Sequence, residues 1–257
     1  MFKSGCRVWL MSVLVAFLGA CHGPGEPGVV SGPNDRVAYR ARIVGRSVQG
    51  RPLMVRVYGN GPDVVMLMAG IHGTEAAGVP ILERLGKELM SNPGLVDGRT
   101  VVLLPIVNPD GVAANKRHNA NGVDLNRNFP ADNFDGKRRH GPQPLSEPES
   151  RMVLEQIERY KPSRIVSFHE PLACVDYDGE GAKAIAEAMG QHTDLPVKRL
   201  GGRPGSLGSY FGLDRGIPCI TFELPKHAKA MTDSELWEAY GQATLSAIMY
   251  PDSLPAK

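Results

Sequence analysis

The chain has 257 residues, of which 42% are hydrophobic and 22% are charged, a composition typical of one or two globular domains. Lys and Arg total 29 against 27 for Asp and Glu, a net charge of +2. The chain therefore lacks the basic excess by which proteins bind nucleic acids. Its four cysteines are too few for a small scaffold held together by disulfides. These counts exclude several classes of protein and identify none.

The first twenty residues have the pattern of a secretory signal. Lys3 and Arg7 precede an apolar, uncharged run over residues 8–20. A helix of that length extends about 20 Å and is too short for a bilayer core of about 30 Å. A basic start followed by a short apolar run is typical of a cleaved signal peptide, so we expect residues 1–20 to be removed. A buried N-terminal helix is the alternative.

The apolar run ends in Leu18-Gly19-Ala20-Cys21, which resembles the lipobox of bacterial lipoproteins. The resemblance implies cleavage before Cys21 and lipidation of its thiol, and several acyl chains anchor a protein stably. The residue after Cys21 is His22 and not Asp, so the resemblance also favours a location on the periplasmic side of the outer membrane. Secretion with a free Cys21 is the alternative. Residues 21–35 are rich in Gly and Pro and predict a tether.

Residues 36–257 have the periodicities of one α/β domain. Alternating or continuous apolar runs predict strands, and apolar residues three or four apart predict helices. The predicted strands cover residues 39–44, 53–58, 64–69, 100–107, 164–168 and 217–222, and the predicted helices cover 76–90, 180–189 and 234–249. A further helix is expected after a capping box at residues 146–149. This order predicts a mixed, mostly parallel twisted sheet with helices on both faces.

Metal-binding side chains follow three of the predicted strands. His72 and Glu75 come after the strand at 64–69, His169 ends the strand at 164–168, and Glu223 ends the strand at 217–222. In open α/β sheets, ligand sites lie beyond the carboxyl ends of the strands. Two histidines, one glutamate and an open fourth position form the ligand set of catalytic zinc.

Four segments of the sequence, GIHGTEAAG, NPDGVAANKRHNANGVDLNRNFP, SFHEPLAC and TFELP, resemble the zinc carboxypeptidases. Within that family they are most similar to the bacterial murein peptide amidases, and the resemblance extends over nearly all of residues 40–250. It implies a zinc-carboxypeptidase-like fold with one Zn²⁺ per chain. It also implies hydrolysis of the γ-D-glutamyl–meso-diaminopimelate amide bond in peptidoglycan peptides.

The same resemblance assigns the metal site. His72, Glu75 and His169 correspond to the zinc ligands of the family. Asp124 corresponds to the acid that orients the first ligand histidine, a contact that fixes the imidazole tautomer and raises its basicity.

Four further residues correspond to groups that act on the substrate. Glu223 corresponds to the general acid/base, and Arg117 to the arginine that stabilises the oxyanion. Asn126 and Arg127 correspond to the pair that binds the substrate carboxylate, for which the planar guanidinium fork is well suited.

The sequence also departs from the family. Digestive carboxypeptidases carry a mobile tyrosine about 22 residues before the catalytic glutamate, but residues 200–205 contain none. Specificity for diaminopimelate would need an acid beside its side-chain amine. Asp176 and Asp178 are candidates for that acid, and solvated loop acids are the alternative. Cys174 and Cys219 could form a disulfide or remain buried thiols.

Three functions are therefore open at this stage. The first is the amidase of peptidoglycan peptides, bound to the membrane only through its lipid anchor. The second is a metallocarboxypeptidase that releases C-terminal amino acids from ordinary peptides. The third is a non-catalytic lipoprotein that binds peptidoglycan. No nucleic-acid partner is expected, and the sequence does not indicate an oligomeric state.

Overall fold

The computed structural model describes residues 37–252. The predicted signal over residues 1–20, the lipidation site Cys21 and the tether over residues 21–35 lie outside the described residues. Within residues 37–252, no helix combines the length and the apolar character that crossing a membrane requires.

The described part of the chain contains seven strands and five α-helices. The strands are β1 (Tyr39–Arg46), β2 (Pro52–Gly59), β3 (Asp63–Met68), β4 (Arg99–Leu104), β5 (Arg164–His169), β6 (Leu172–Asp178) and β7 (Cys219–Pro225). The helices are α1 (Gly78–Ser91), α2 (Pro109–Ala114), α3 (Pro148–Tyr160), α4 (Ala182–Gly190) and α5 (Asp233–Met249), together with a π-helical segment over Gly208–Asp214.

The seven strands form one mixed sheet in the order β1-β2-β4-β3-β5-β7-β6. The four central strands, β4, β3, β5 and β7, are parallel to one another. The β1–β2, β2–β4 and β6–β7 pairs are antiparallel. Because the central strands are parallel, their carboxyl ends meet at one edge of the sheet.

Alternate residues of the central strands supply two hydrophobic cores, one on each face of the sheet. On β3, Val65 and Leu67 pack into the core formed with α1, α4 and α5. Met66 and Met68 point the opposite way, into the core formed with α3 and Phe211 of the π-helical segment. The expected arrangement of helices on both faces is confirmed. Both faces of β3 are covered, which explains its continuous apolar sequence.

One local prediction was wrong, and one strand was not predicted. The capping box expected at residues 146–149 is absent, because Ser146 Oγ donates to Glu147 Oε1 and no side chain caps α3. A capping box instead begins α5, where Thr232 and Glu235 bond reciprocally. Strand β6 was not among the predicted strands, since its acidic residues are not typical of a buried strand.

The strand register excludes a disulfide between Cys174 and Cys219. Cys174 is paired with Glu223, whereas Cys219 is paired with Asp178. The two cysteines are therefore four residues out of register, about 13 Å along the strands. Disulfides require Cα atoms within about 7 Å. Both cysteines are buried free thiols, and burial raises the pKa of Cys174 to about 11.

The packing of α1 against β5 yields a prediction about stability. A Cβ atom at Gly78 would lie 2.4 Å from Phe168 Cβ, directly before His169, whereas one at Gly94 would have no neighbour within 4 Å. We expect Gly78→Ala to lower the free energy of unfolding by about 1–3 kcal/mol, because overpacking forces the backbone to shift. Gly94→Ala is the control and should be neutral or slightly stabilising. Denaturant unfolding measures both, and equal stability of the two variants would contradict the prediction.

Candidate metal centre

The candidate metal ligands meet at the carboxyl ends of the central parallel strands. His72 lies in the loop after β3, and His169 is the last residue of β5. Glu223 lies near the end of β7 and is the register partner of His169. The three strand ends identified in the sequence are therefore adjacent in the fold.

Glu75 connects the two histidines through one carboxylate oxygen. Its Oε2 lies 2.8 Å from His72 Nδ1 and 3.0 Å from His169 Nδ1. The candidate ligand atoms of the three residues all lie within 4.8 Å of one another, and all three side chains are buried. Two imidazole nitrogens and a carboxylate directed at one point match the donor types that zinc prefers. The residues therefore fit a zinc ion.

Asp124 contacts the ring nitrogen of His72 that faces away from Glu75. Its Oδ1 lies 2.9 Å from His72 Nε2 and also accepts a hydrogen bond from the backbone N–H of Asn126. Burial opposes ionisation of Asp124, but the hydrogen bond with His72 and the charges of His72, Arg117 and Arg127 together outweigh it and keep the pKa of Asp124 well below its ordinary value. An ionised Asp124 accepts the Nε2 proton, which leaves Nδ1 of His72 as the nitrogen that can bind a metal.

Glu75 also remains ionised despite its burial. Burial raises its pKa, but the hydrogen bonds with His169 and His72 outweigh this and hold the pKa well below the ordinary range. Arg117 reinforces the same state, because its Nη1 donates to Glu75 Oε1 and its Nε donates to Asp124 Oδ2. Arg117 thus bridges both carboxylates from the cavity wall. A guanidinium has five N–H donors, so others remain available for a substrate.

Glu223 stands apart from this hydrogen-bonded cluster. Its side chain is buried, and its Oε2 accepts a hydrogen bond from the backbone N–H of Leu172 at 3.3 Å. Burial raises the pKa of Glu223 above its ordinary value, and the neighbouring His169 opposes the shift. A carboxylate with a raised pKa holds a proton more readily, as a general acid/base must.

Asn126 and Arg127 line the same cavity. Asn126 Oδ1 accepts a hydrogen bond from the backbone N–H of Leu207, and its Nδ2 lies 3.4 Å from His169 Nε2. The first contact fixes the amide so that its NH₂ group faces the metal-binding histidine. Arg127 is partly buried beside it.

The cavity has a volume of about 350 Å³ and contains all the predicted catalytic, substrate-binding and metal-binding residues among its lining. Asp124 acts from behind His72 and is not part of that lining. Asp176 and Asp178, treated in the sequence as candidates for amine recognition, also line the cavity and are buried. The solvated-loop alternative for these two acids is therefore wrong.

Ser167, Arg203 and Gly208 are among the lining residues that were missed in the sequence. Ser167 lies two residues before His169 on β5, and its Oγ is buried without a hydrogen-bond partner within residues 37–252. Strand alternation could have identified it, because it faces the same side as His169. Arg203 and Gly208 lie in the segment after α4, where the sequence has no periodic signal. Tyr210 is not part of the cavity lining; its hydroxyl accepts a hydrogen bond from Arg215.

Comparisons with known proteins identify the family of this chain. The zinc carboxypeptidase family model matches residues 36–178. Murein peptide amidase A of Escherichia coli (strain K12) is 36% identical over 200 residues, which cover 70% of this chain and 79% of that protein. Murein peptide amidase A of Vibrio campbellii is 33% identical over 217 residues, covering 76% of this chain and 84% of that protein.

A solved structure supports the fold. The crystal structure of a murein-tripeptide amidase from Escherichia coli O157 is similar with a TM-score of 0.65 and 30% identity, covering 88% of this chain and all of that chain. The expected α/β fold and the resemblance inferred from the motifs are confirmed. The family match spans more than half of the chain, and the relatives are matched over most of their length. This chain belongs to the zinc carboxypeptidase family and is a peptide-bond hydrolase.

Proposed function

We propose that this protein uses zinc to hydrolyse the γ-D-glutamyl–meso-diaminopimelate amide bond of peptidoglycan-derived peptides. The observation that carries the proposal is one cavity in which the buried side chains of His72, Glu75 and His169 converge beside Glu223. It occurs in a chain that aligns with most of the length of murein peptide amidases.

Each residue of the site has a separate role in the proposed reaction. His72, Glu75 and His169 would hold the zinc ion, which when bound lowers the pKa of water and polarises a carbonyl group. Glu223 accepts a proton from the attacking water and delivers it to the leaving nitrogen. Arg117 stabilises the negative charge that develops on the carbonyl oxygen. Asn126 and Arg127 bind a carboxylate of the substrate and so position the scissile amide.

Release of diaminopimelate tests the proposal. The zinc-loaded protein is incubated with L-Ala-γ-D-Glu-meso-diaminopimelate, with and without a chelator, and products are identified by mass spectrometry. We expect one zinc per chain and free diaminopimelate only in the absence of the chelator. Release of C-terminal residues from ordinary peptides with none from the tripeptide would favour the metallocarboxypeptidase alternative. Tripeptide binding without zinc or turnover would favour the non-catalytic lipoprotein.

Replacing the proton carrier should separate catalysis from metal binding. Glu223→Gln keeps the size of the side chain but cannot accept the proton from water. We expect turnover to fall by about 10²- to 10⁴-fold, with zinc content unchanged by elemental analysis. Glu180→Gln, an exposed position, is the control. Wild-type turnover in Glu223→Gln would rule out its assigned role.

Asp124 should determine zinc affinity. Asp124→Asn removes the charge that orients His72 through Nε2, so we expect zinc to bind about 10- to 100-fold more weakly. Competition with a chromophoric chelator measures this. The matched control is Asp132→Asn, since Asp132 is exposed. Equal zinc affinities in the two variants would show that Asp124 does not support the metal site.

We propose further that the mature protein is a lipoprotein, attached at Cys21 to the periplasmic side of the outer membrane. The leader and the sequence Leu18-Gly19-Ala20-Cys21 support this location. Labelled palmitate should be incorporated by the full chain and by Cys174→Ser, but not by Cys21→Ser. The Cys21→Ser variant should also be recovered in the soluble fraction and not in the membrane fraction. Equal labelling of the full chain and Cys21→Ser would contradict the proposal.

A further inference from the structure

The cavity extends away from the metal centre along one face of the sheet. On β7, Glu223, Thr221 and Cys219 alternate onto that face, and their register partners on β6 are Cys174, Asp176 and Asp178. Asp176 is thus two residues and Asp178 four residues from the level of Glu223. These offsets correspond to about 7 Å and about 13 Å along the strands. Both acids line the cavity at these distances from Glu223.

Asp178 is a buried carboxylate without a partner for one of its oxygens. Its exposed fraction is 4%, and its Oδ1 is buried with no hydrogen-bond partner within residues 37–252. Burial and the neighbouring Asp176 raise the pKa of Asp178 to about 6, and the charge of Arg199 opposes the shift. An ionised, unpaired carboxylate in a buried site is costly. A cation delivered by a ligand would offset that cost.

The π-helical segment places Gly208 against the carboxylate of Asp178. A Cβ atom at Gly208 would lie 2.3 Å from Asp178 Oδ2, so any larger residue at that position would collide with the carboxylate. Gly208 and Asp178 both line the cavity. Asp176 differs from Asp178, because its Oδ1 accepts a hydrogen bond from the backbone N–H of Leu200. Of the two acids, Asp178 is the one whose hydrogen-bonding capacity the protein leaves unused.

A positive charge lines the same cavity. Arg203 lines the cavity, and its guanidinium is close enough to lower the pKa of Asp176 against the larger, opposite effect of burial. A ligand group that satisfies both Asp178 and Arg203 must carry an ammonium and a carboxylate together. A lysine side chain supplies only the ammonium. The second amino-acid centre of diaminopimelate supplies both, at the end of a long aliphatic chain.

We propose that Asp178 and Arg203 recognise this second centre, Asp178 receiving the ammonium and Arg203 the carboxylate. The inference rests on the proposed function and adds the residues that select the leaving group. Both residues act on binding of the substrate and take no part in proton transfer. Because Asp178 lies deep in the cavity, it selects for side-chain length as well as for charge.

Three peptides of the form L-Ala-γ-D-Glu-X separate the two contacts. X is meso-diaminopimelate, L-lysine, which lacks the second carboxylate, or L-2-aminopimelate, which lacks the second amine. We expect Asp178→Asn to lower kcat/KM about 10²-fold for the diaminopimelate and lysine peptides, but to change it little for the aminopimelate peptide. Arg203→Gln should instead impair the diaminopimelate and aminopimelate peptides and spare the lysine peptide.

The control is Arg138→Gln, an exposed arginine that is not part of the cavity lining. It should keep all three kcat/KM values within about threefold of the unaltered protein. Asp178→Ser serves if Asp178→Asn does not fold. Equal loss on all three peptides in the Asp178 variant would overturn the inference while the proposed function stands. Failure of the unaltered, zinc-loaded protein to release diaminopimelate would instead refute the proposed function.

Discussion

The site depends on mutual compensation among buried charged groups. Glu75 and Asp124 are each less than a tenth exposed, and a buried carboxylate without partners would cost several kcal/mol. Here both oxygens of Glu75 and both of Asp124 lie within hydrogen-bond distance of nitrogen atoms of His72, His169, Arg117 or the backbone. Histidine binds metals in its neutral form. Two carboxylates then face one guanidinium, and the excess negative charge suits a divalent cation.

Much of the site could be predicted because its residues follow buried strands. β3, β5 and β7 are largely apolar, so their ends could be located without a structure. His169 and Glu223 were each placed at a strand end, and they prove to be register partners. The order of strands in the sheet could not be predicted, since pairing is decided by packing between segments far apart in the sequence.

Other parts were misjudged because long-range contacts override the local pattern. The segment after Ser146 has the spacing of a capping box, but Glu149 bonds to Asn119 and to the backbone of Val48. Glu147 likewise accepts hydrogen bonds from Asn119 and Asn121. These glutamates anchor the start of α3 to distant loops. A sequence window of a few residues carries no information about such partners.

The pairing of β6 with β7 connects the two ends of the cavity. Glu223 and Cys219, the register partner of Asp178, both lie on β7. Because the rise per residue along a strand is fixed, the hydrogen bonds between β6 and β7 set the distance from Glu223 to Asp178. A slip of one residue would turn Asp178 toward the opposite core. A slip of two would keep its face but change the distance by about 7 Å. Selection by length therefore resides in strand register and needs no mobile loop, consistent with the absence of tyrosine from residues 200–205.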